Sequence, residues 1–176
     1  LILLGFPLVV YWSMRRMELS TVAAAVSAAA ASLLSVSVGY GFGYESYNWR
    51  GHGMYTQLWA MPLSFVTLAC LYRVVNHGRG YVAAVLACSA LALSHLIYAY
   101  MMAITALVLL LVGLSRANFR QRIGRLAVVG VLAGIISAYM SIPFLLGKAY
   151  LNASPYLQRW KYDSYGAQDI LKWLAN

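Results

Sequence analysis

"YVAAVLACSALALSHLIYAYMMAITALVLLLVGL", residues 81–114, carries no Asp, Glu, Lys or Arg and a single imidazole, His95. As one helix these 34 residues would run roughly 51 Å at 1.5 Å per residue, against a bilayer hydrocarbon core of about 30 Å. The stretch is too long for one crossing and fits two short ones. Its flanks decide between them. "RVVNHGRG" (73–80) precedes it and "SRANFRQRIGR" (115–125) follows it, and basic connectors of membrane proteins stay on the cytoplasmic side. Two connectors on one side require an even number of crossings between them. Residues 81–114 therefore read as a short hairpin that reverses near Ser94–Tyr98 on the outer face.

The same logic extends along the chain. Of 176 residues, 62% are hydrophobic and 10% charged, and mean hydropathy is +0.71. A soluble domain carries about a quarter charged residues, so this composition reads as an all-α, polytopic transmembrane bundle of about six crossing segments. Residues 1–13 end a span closed by "MRRME" (14–18). The run "STVAAAVSAAAASLLSVSV" (20–38) forms the next, its Ala and Ser content suiting close helix packing. Residues 55–72 and 126–146 supply two more. The expected organisation is a bundle over 1–147 and an outer-face segment over 148–176, whose Ile170, Leu171, Trp173 and Leu174 form a short amphipathic helix on the bilayer. The chain opens at Leu1 inside an apolar run and stops at "ILKWLAN", which leads us to expect a longer parent protein.

Charge supports this topology. Arg15 and Arg16, Arg73 and Arg79, and Arg116, Arg120, Arg122 and Arg125 fall in three short connectors, whereas Glu45, Asp163 and Asp169 fall on the other side and only Glu18 joins the arginines. The net charge of +9 thus reads as an orientation signal, and the expected partner is a lipid bilayer, with no nucleic acid. Cys70 and Cys88 lie in apolar runs, where cysteine packs as a small hydrophobe.

The outer loop "YESYNWRGHGMYTQ" (44–57) holds more polar groups than a connector needs. Three glycines in "GYGFGY" (39–44) permit a tight backbone path. Glu45, Arg50, His52 and Gln57 are the candidate chemistry, and Tyr47 and Trp49 can stack on sugar rings. The plainer reading of these rings is an interfacial aromatic belt. His95, at the proposed outer reversal, reads either as a cap donating to a backbone carbonyl or as a polar wall of a cavity. Arg159 and Lys161 can hold a phosphate or snorkel to the interface. No Walker, CxxC, HExxH or GxSxG motif occurs, and three scattered histidines make no metal site. No cofactor is evident; His95 is the sole candidate ligand for a haem or chlorophyll.

The loop running into "GHGMYTQLWAMPLSF" (51–65), the hairpin broken at "LALSHLIYAY" (91–100), and "YMSIPFLLGKAY" (139–150) followed by "YDSYGAQDILKWLAN" (162–176) together resemble the GT-C class of integral membrane glycosyltransferases. The likeness is to the bacterial members known as 6-pyruvoyl-tetrahydropterin-synthase-related membrane proteins. The resemblance implies a bacterial plasma-membrane enzyme that transfers sugar from a polyprenyl-phosphate donor on the outer face. The family's catalytic acid lies in the first outer loop, expected upstream of Leu1. Within this chain, the transfer chemistry needs a carboxylate for the acceptor hydroxyl and cations for the leaving phosphate. Glu45 and His52 stand for the first, with Arg50, Arg159 and Lys161 for the second. Two other readings are a non-catalytic subunit packed against other membrane subunits, and a transporter.

Overall fold

The computed structural model describes residues 2–31, 55–112 and 118–147, the side chains of residues 3, 55 and 57 apart. Six helices and no strand occur among the described residues: α1 (Ile2–Arg16), α2 (Thr21–Ala31), α3 (Tyr55–His77), α4 (Tyr81–Ser94), α5 (Leu96–Leu111) and α6 (Phe119–Leu146). The chain divides into two compact units, Leu1–Met140 and Ser141–Asn176.

Local chemistry explains the boundaries. Ser20 opens α2 by accepting the Ala23 amide on its Oγ at 3.2 Å and the Ala24 amide on its carbonyl at 2.9 Å. This N-cap precedes a run of alanines, the best helix formers. Between α1 and α2 the chain turns through Glu18 at φ 69, and Arg15 Nη1 secures the turn by donating to the Leu19 carbonyl at 2.7 Å. Gly78 (φ 66) and Gly80 (φ 83) make the turn from α3 to α4, in the left-handed region that glycine occupies freely.

α3 is the central helix. Its buried residues Ala60, Met61, Thr67, Ala69, Leu71, Val74 and Val75 point to more than one side. Towards α1 and α2, Met61 joins Phe6, Val10, Ala28 and Ala31, and Phe65 meets Phe6 edge-on at 5.5 Å. Towards α4 and α5, Leu71 and Val74 pack with Ala84, Val85, Leu91, Met102 and Ala106. Small residues let α3 and α4 approach: Thr67 Oγ1 reaches the Ala87 carbonyl across the seam at 3.3 Å.

His95 alone separates α4 from α5, with extended backbone at φ −160 and ψ 111. The chain reverses there. Ser64 and Phe65 share a groove with Tyr98, and Leu68 shares it with Thr105, while Asn76 is linked through Arg122 to Leu109 and Val112. α5 therefore runs parallel to α3, and α4 runs against both. Within the described residues of 81–114 the chain forms a helical hairpin, with its reversal at one residue.

Of the bundle of about six crossing segments, including a short hairpin, the all-α character is shown and the number of crossings is not. Among the described residues two helical stretches, Leu58–His77 and Phe119–Leu146, are long and apolar enough to cross a membrane. The 14 residues of α4 and 16 of α5 give roughly 21 and 24 Å, less than the ~30 Å hydrocarbon thickness. The connectors also shift. Arg73 lies inside α3, and Arg120, Arg122 and Arg125 lie in the opening turns of α6, because the helices run past the apolar runs into their charged flanks.

Candidate functional site

His95 is the one sequence-assigned site residue whose side chain is described. Its backbone serves both helices: the amide donates to Leu91 O at 2.9 Å, and the carbonyl accepts the Ala99 amide at 3.1 Å. The imidazole does not cap either helix, which corrects that expectation. It stands edge-on to Tyr98, ring centroids 5.2 Å apart. Its Nδ1 is shielded from solvent and has no hydrogen-bond partner among the described residues. Leaving such an atom unsatisfied costs about 1–3 kcal/mol, and a polar ligand group would relieve that cost.

Two clefts flank this point. Between α3 and α5 an open groove of about 530 Å³ is lined by Ser64, Phe65, Leu68, Ile97, Tyr98, Met101, Met102 and Thr105. Its two aliphatic hydroxyls are already committed, Ser64 Oγ to Met61 O at 2.6 Å and Thr105 Oγ1 to Met101 O at 2.8 Å. To a ligand the walls are apolar except at the Tyr98 phenol. Between α1 and α3 a second cleft, about 410 Å³, includes Trp59, Pro62, Leu63 and Ser94. Both suit a hydrocarbon chain better than a polar metabolite.

The remaining assigned residues are not brought to His95 by anything described. Glu45, Tyr47, Trp49, Arg50, His52, Arg159 and Lys161 lie outside the described residues, as does the side chain of Gln57 in the first turn of α3. Among the described residues no group of three or more His, Cys, Asp or Glu could hold a metal ion.

The opposite end of the bundle is more highly organised than the sequence suggested. Arg122, 6% exposed, donates through Nη1 to Asn76 Oδ1 at 2.7 Å and through Nη2 to Leu109 O at 2.9 Å and Val112 O at 2.7 Å. Arg125 Nη1 donates to Val75 O at 2.9 Å and Asn76 O at 3.2 Å. Two guanidinium groups thus satisfy carbonyls at the C-terminal ends of α3 and α5, where the helix macrodipoles are negative. Nearby, Glu18 pairs with His77 Nε2 at 3.0 Å and accepts the Tyr72 hydroxyl at 3.3 Å. These contacts gather the connectors at residues 14–20, 73–80 and 118–125 at one end. Sequence reading treated Arg122 and Arg125 as orientation signals and missed their bonding. The available hint was the spacing: Arg122 and Arg125 are three residues apart, on one helix face.

Comparison of the chain with protein-family models, with curated proteins and with solved structures gives no match.

Proposed function

We propose that this chain is part of an integral membrane glycosyltransferase that uses a polyprenyl-phosphate-linked sugar donor. The observation that carries this reading is the pairing of an unpartnered, shielded His95 Nδ1 with the apolar groove beside Tyr98. That pairing suits an amphiphile with a hydrocarbon tail and a hydrogen-bonding head. It lies at the end opposite the basic connectors, the outer face by the positive-inside rule. Exposed apolar side chains support membrane embedding: on α5 Leu96 and Leu111, and on α6 Val131 and Ile135, are each more than 60% exposed, too much apolar surface for a water-soluble fold. In this reading the groove seats the isoprenoid chain, His95 hydrogen-bonds the head, and Glu45 orients or deprotonates the acceptor hydroxyl while arginine neutralises the leaving phosphate.

The test is sugar transfer in washed membranes containing the protein. His95→Phe keeps a ring and removes both nitrogens; Glu45→Gln keeps shape and removes basicity. Each should lower transfer from a polyprenyl-phosphate sugar without changing protein level. Full transfer by both variants, or none by the unaltered protein, sinks the enzyme reading.

A second reading, a helical subunit of a larger membrane complex, is favoured by α6. Nothing lies within 4 Å of where a Cβ on Gly130 or Gly134 would stand, and this Gly-x-x-x-Gly spacing suits close approach by another helix. Co-purification of a membrane partner that is lost in Gly130→Leu would select it.

A further inference from the structure

The reversal at His95 stops short of the far end of the central helix. One guanidinium, that of Arg122, bonds Asn76 Oδ1 and the carbonyls of Leu109 and Val112, so α3 and α5 finish level at the basic end. From that level the 23 residues of α3 rise roughly 35 Å and the 16 of α5 only roughly 24 Å. The clefts agree with this offset. Ser94 lines one with Pro62 and Leu63, and Tyr98 lines the other with Ser64 and Phe65. The reversal therefore stands beside Pro62, roughly 10 Å short of Tyr55 at 1.5 Å per residue.

The turn is also rich in unmet backbone groups. The His95 amide donates to Leu91 O and the Ala99 amide to His95 O, but among the described residues no backbone bond joins the amides of Leu96, Ile97 and Tyr98 to the carbonyls of Ala92, Leu93 and Ser94. These are the orphan groups of two helix ends, brought together at a turn of one residue. The apolar span of α3, Leu58–His77, has 20 residues and a rise of roughly 30 Å, the thickness of a hydrocarbon core. Trp59, 60% exposed, stands at its outer boundary, where tryptophan anchors. A bilayer fitted to α3 thus places the reversal roughly 6 Å inside the hydrocarbon. Non-helical backbone at such a depth is tolerated only against protein or water. Leu96 and Ile97 are 68% and 66% exposed, so protein does not cover the outward side of the turn.

We propose that the membrane is thinned over the α4–α5 reversal, so that residues 92–98 form the floor of a water-filled recess in the outer leaflet. Two costs compete. Thinning a bilayer by one ångström costs a small fraction of what one unmet backbone group costs in hydrocarbon. Three amides and three carbonyls set against a few ångströms of thinning decide for hydration. A lipid headgroup settling into the recess comes level with His95 while its tail stays in hydrocarbon. This inference rests on the membrane reading and is independent of sugar transfer.

Helix α6 supplies the reference for the experiment. From Arg122 it runs unbroken to exposed Ile135, roughly 20 Å further on, as far from the basic end as Pro62 is from Asn76. Nitroxide labels are attached singly through L96C and I135C, with Cys70 and Cys88 replaced by Ala, and the protein is reconstituted in phosphatidylcholine vesicles. Collision rates are measured with a water-soluble nickel chelate and with oxygen, which concentrates in hydrocarbon. The nickel-to-oxygen ratio should be several-fold higher at Leu96 than at Ile135, and I97C should repeat the Leu96 result. Equal ratios at the two depth-matched positions overturn the proposal. Low at both would place the reversal in hydrocarbon, and high at both would place the whole membrane surface at that level. A Leu96 label reached by neither reagent would mean that protein covers the turn, and overturns it too. Alkaline carbonate washing of the membranes separates this inference from the reading beneath it. Release of the chain ends the membrane reading and this inference together, whereas retention with equal ratios ends this inference alone.

Discussion

Arg122 Nη1 donates to Asn76 Oδ1 at 2.7 Å, and that bond joins the start of α6 to the end of α3 across 46 residues of sequence. The same guanidinium reaches Leu109 O and Val112 O, so one side chain closes the hairpin of α4 and α5 against the central helix. Its Nε stays buried and unpaired, which offsets part of the gain. Replacing Arg122 by Met should still cost about 2–3 kcal/mol, the scale of losing hydrogen bonds from a charged donor. Arg122→Lys should fall between, because an ammonium lacks the planar fork that serves three acceptors at once. Denaturation in mixed micelles measures this; a Met variant as stable as the parent would show that the clasp is incidental.

Gly78 and Gly80 should respond differently to alanine. Both have left-handed backbone, which costs a non-glycine residue about 1–2 kcal/mol. At Gly80 a Cβ meets nothing within 4 Å, whereas at Gly78 it would stand 2.8 Å from Arg125 Nη2. Gly78→Ala should therefore destabilise more than Gly80→Ala. The excess should shrink when Arg125 is also truncated to Ala, since the double change removes the clash. Equal costs at the two glycines would contradict the tight packing of Arg125 on the turn.

The α3–α4 seam should reject bulk. Ala84 is fully buried in the core cluster and Thr67 is fully buried opposite Ala87. Ala84→Leu should cost roughly 1–3 kcal/mol through overpacking. Thr67→Val keeps the volume and loses only the hydroxyl contacts to Leu63 O and Ala87 O, for about 0.6 kcal/mol if it behaves like other interhelical bonds in membranes. If Thr67→Val proved the more damaging of the two, hydrogen bonding rather than close packing would govern the seam.

Accessibility can check the reversal at His95. In a background with Cys70 and Cys88 replaced by Ala, single cysteines at Arg79 and Asn118 should react with impermeant reagents from one side of the membrane. Ser94→Cys and Asn48→Cys should react from the other. Labelling of Ser94→Cys from the Arg79 side would remove the two-crossing arrangement of residues 81–112.

Helix content, the break near residue 95 and the pairing of two helices either side of it were legible in the sequence. They follow from quantities that add along the chain: apolar transfer free energy, the length a helix spans per residue, and the sidedness of arginine. The run of α6 back to Phe119 was less legible, because helix ends are set by capping partners that hydropathy does not record. The roles of individual polar groups belong to the tertiary structure. Arg122 and Arg120 have the same chemistry two residues apart, yet one is buried on the carbonyls of α5 and the other faces outward. Which residue caps depends on the hairpin's two arms returning α5 level with the end of α3. His95 follows the same rule. Its position in the turn was readable, but whether its ring or its backbone would cap the helices was decided by packing against Tyr98, which leaves Nδ1 buried and unbonded.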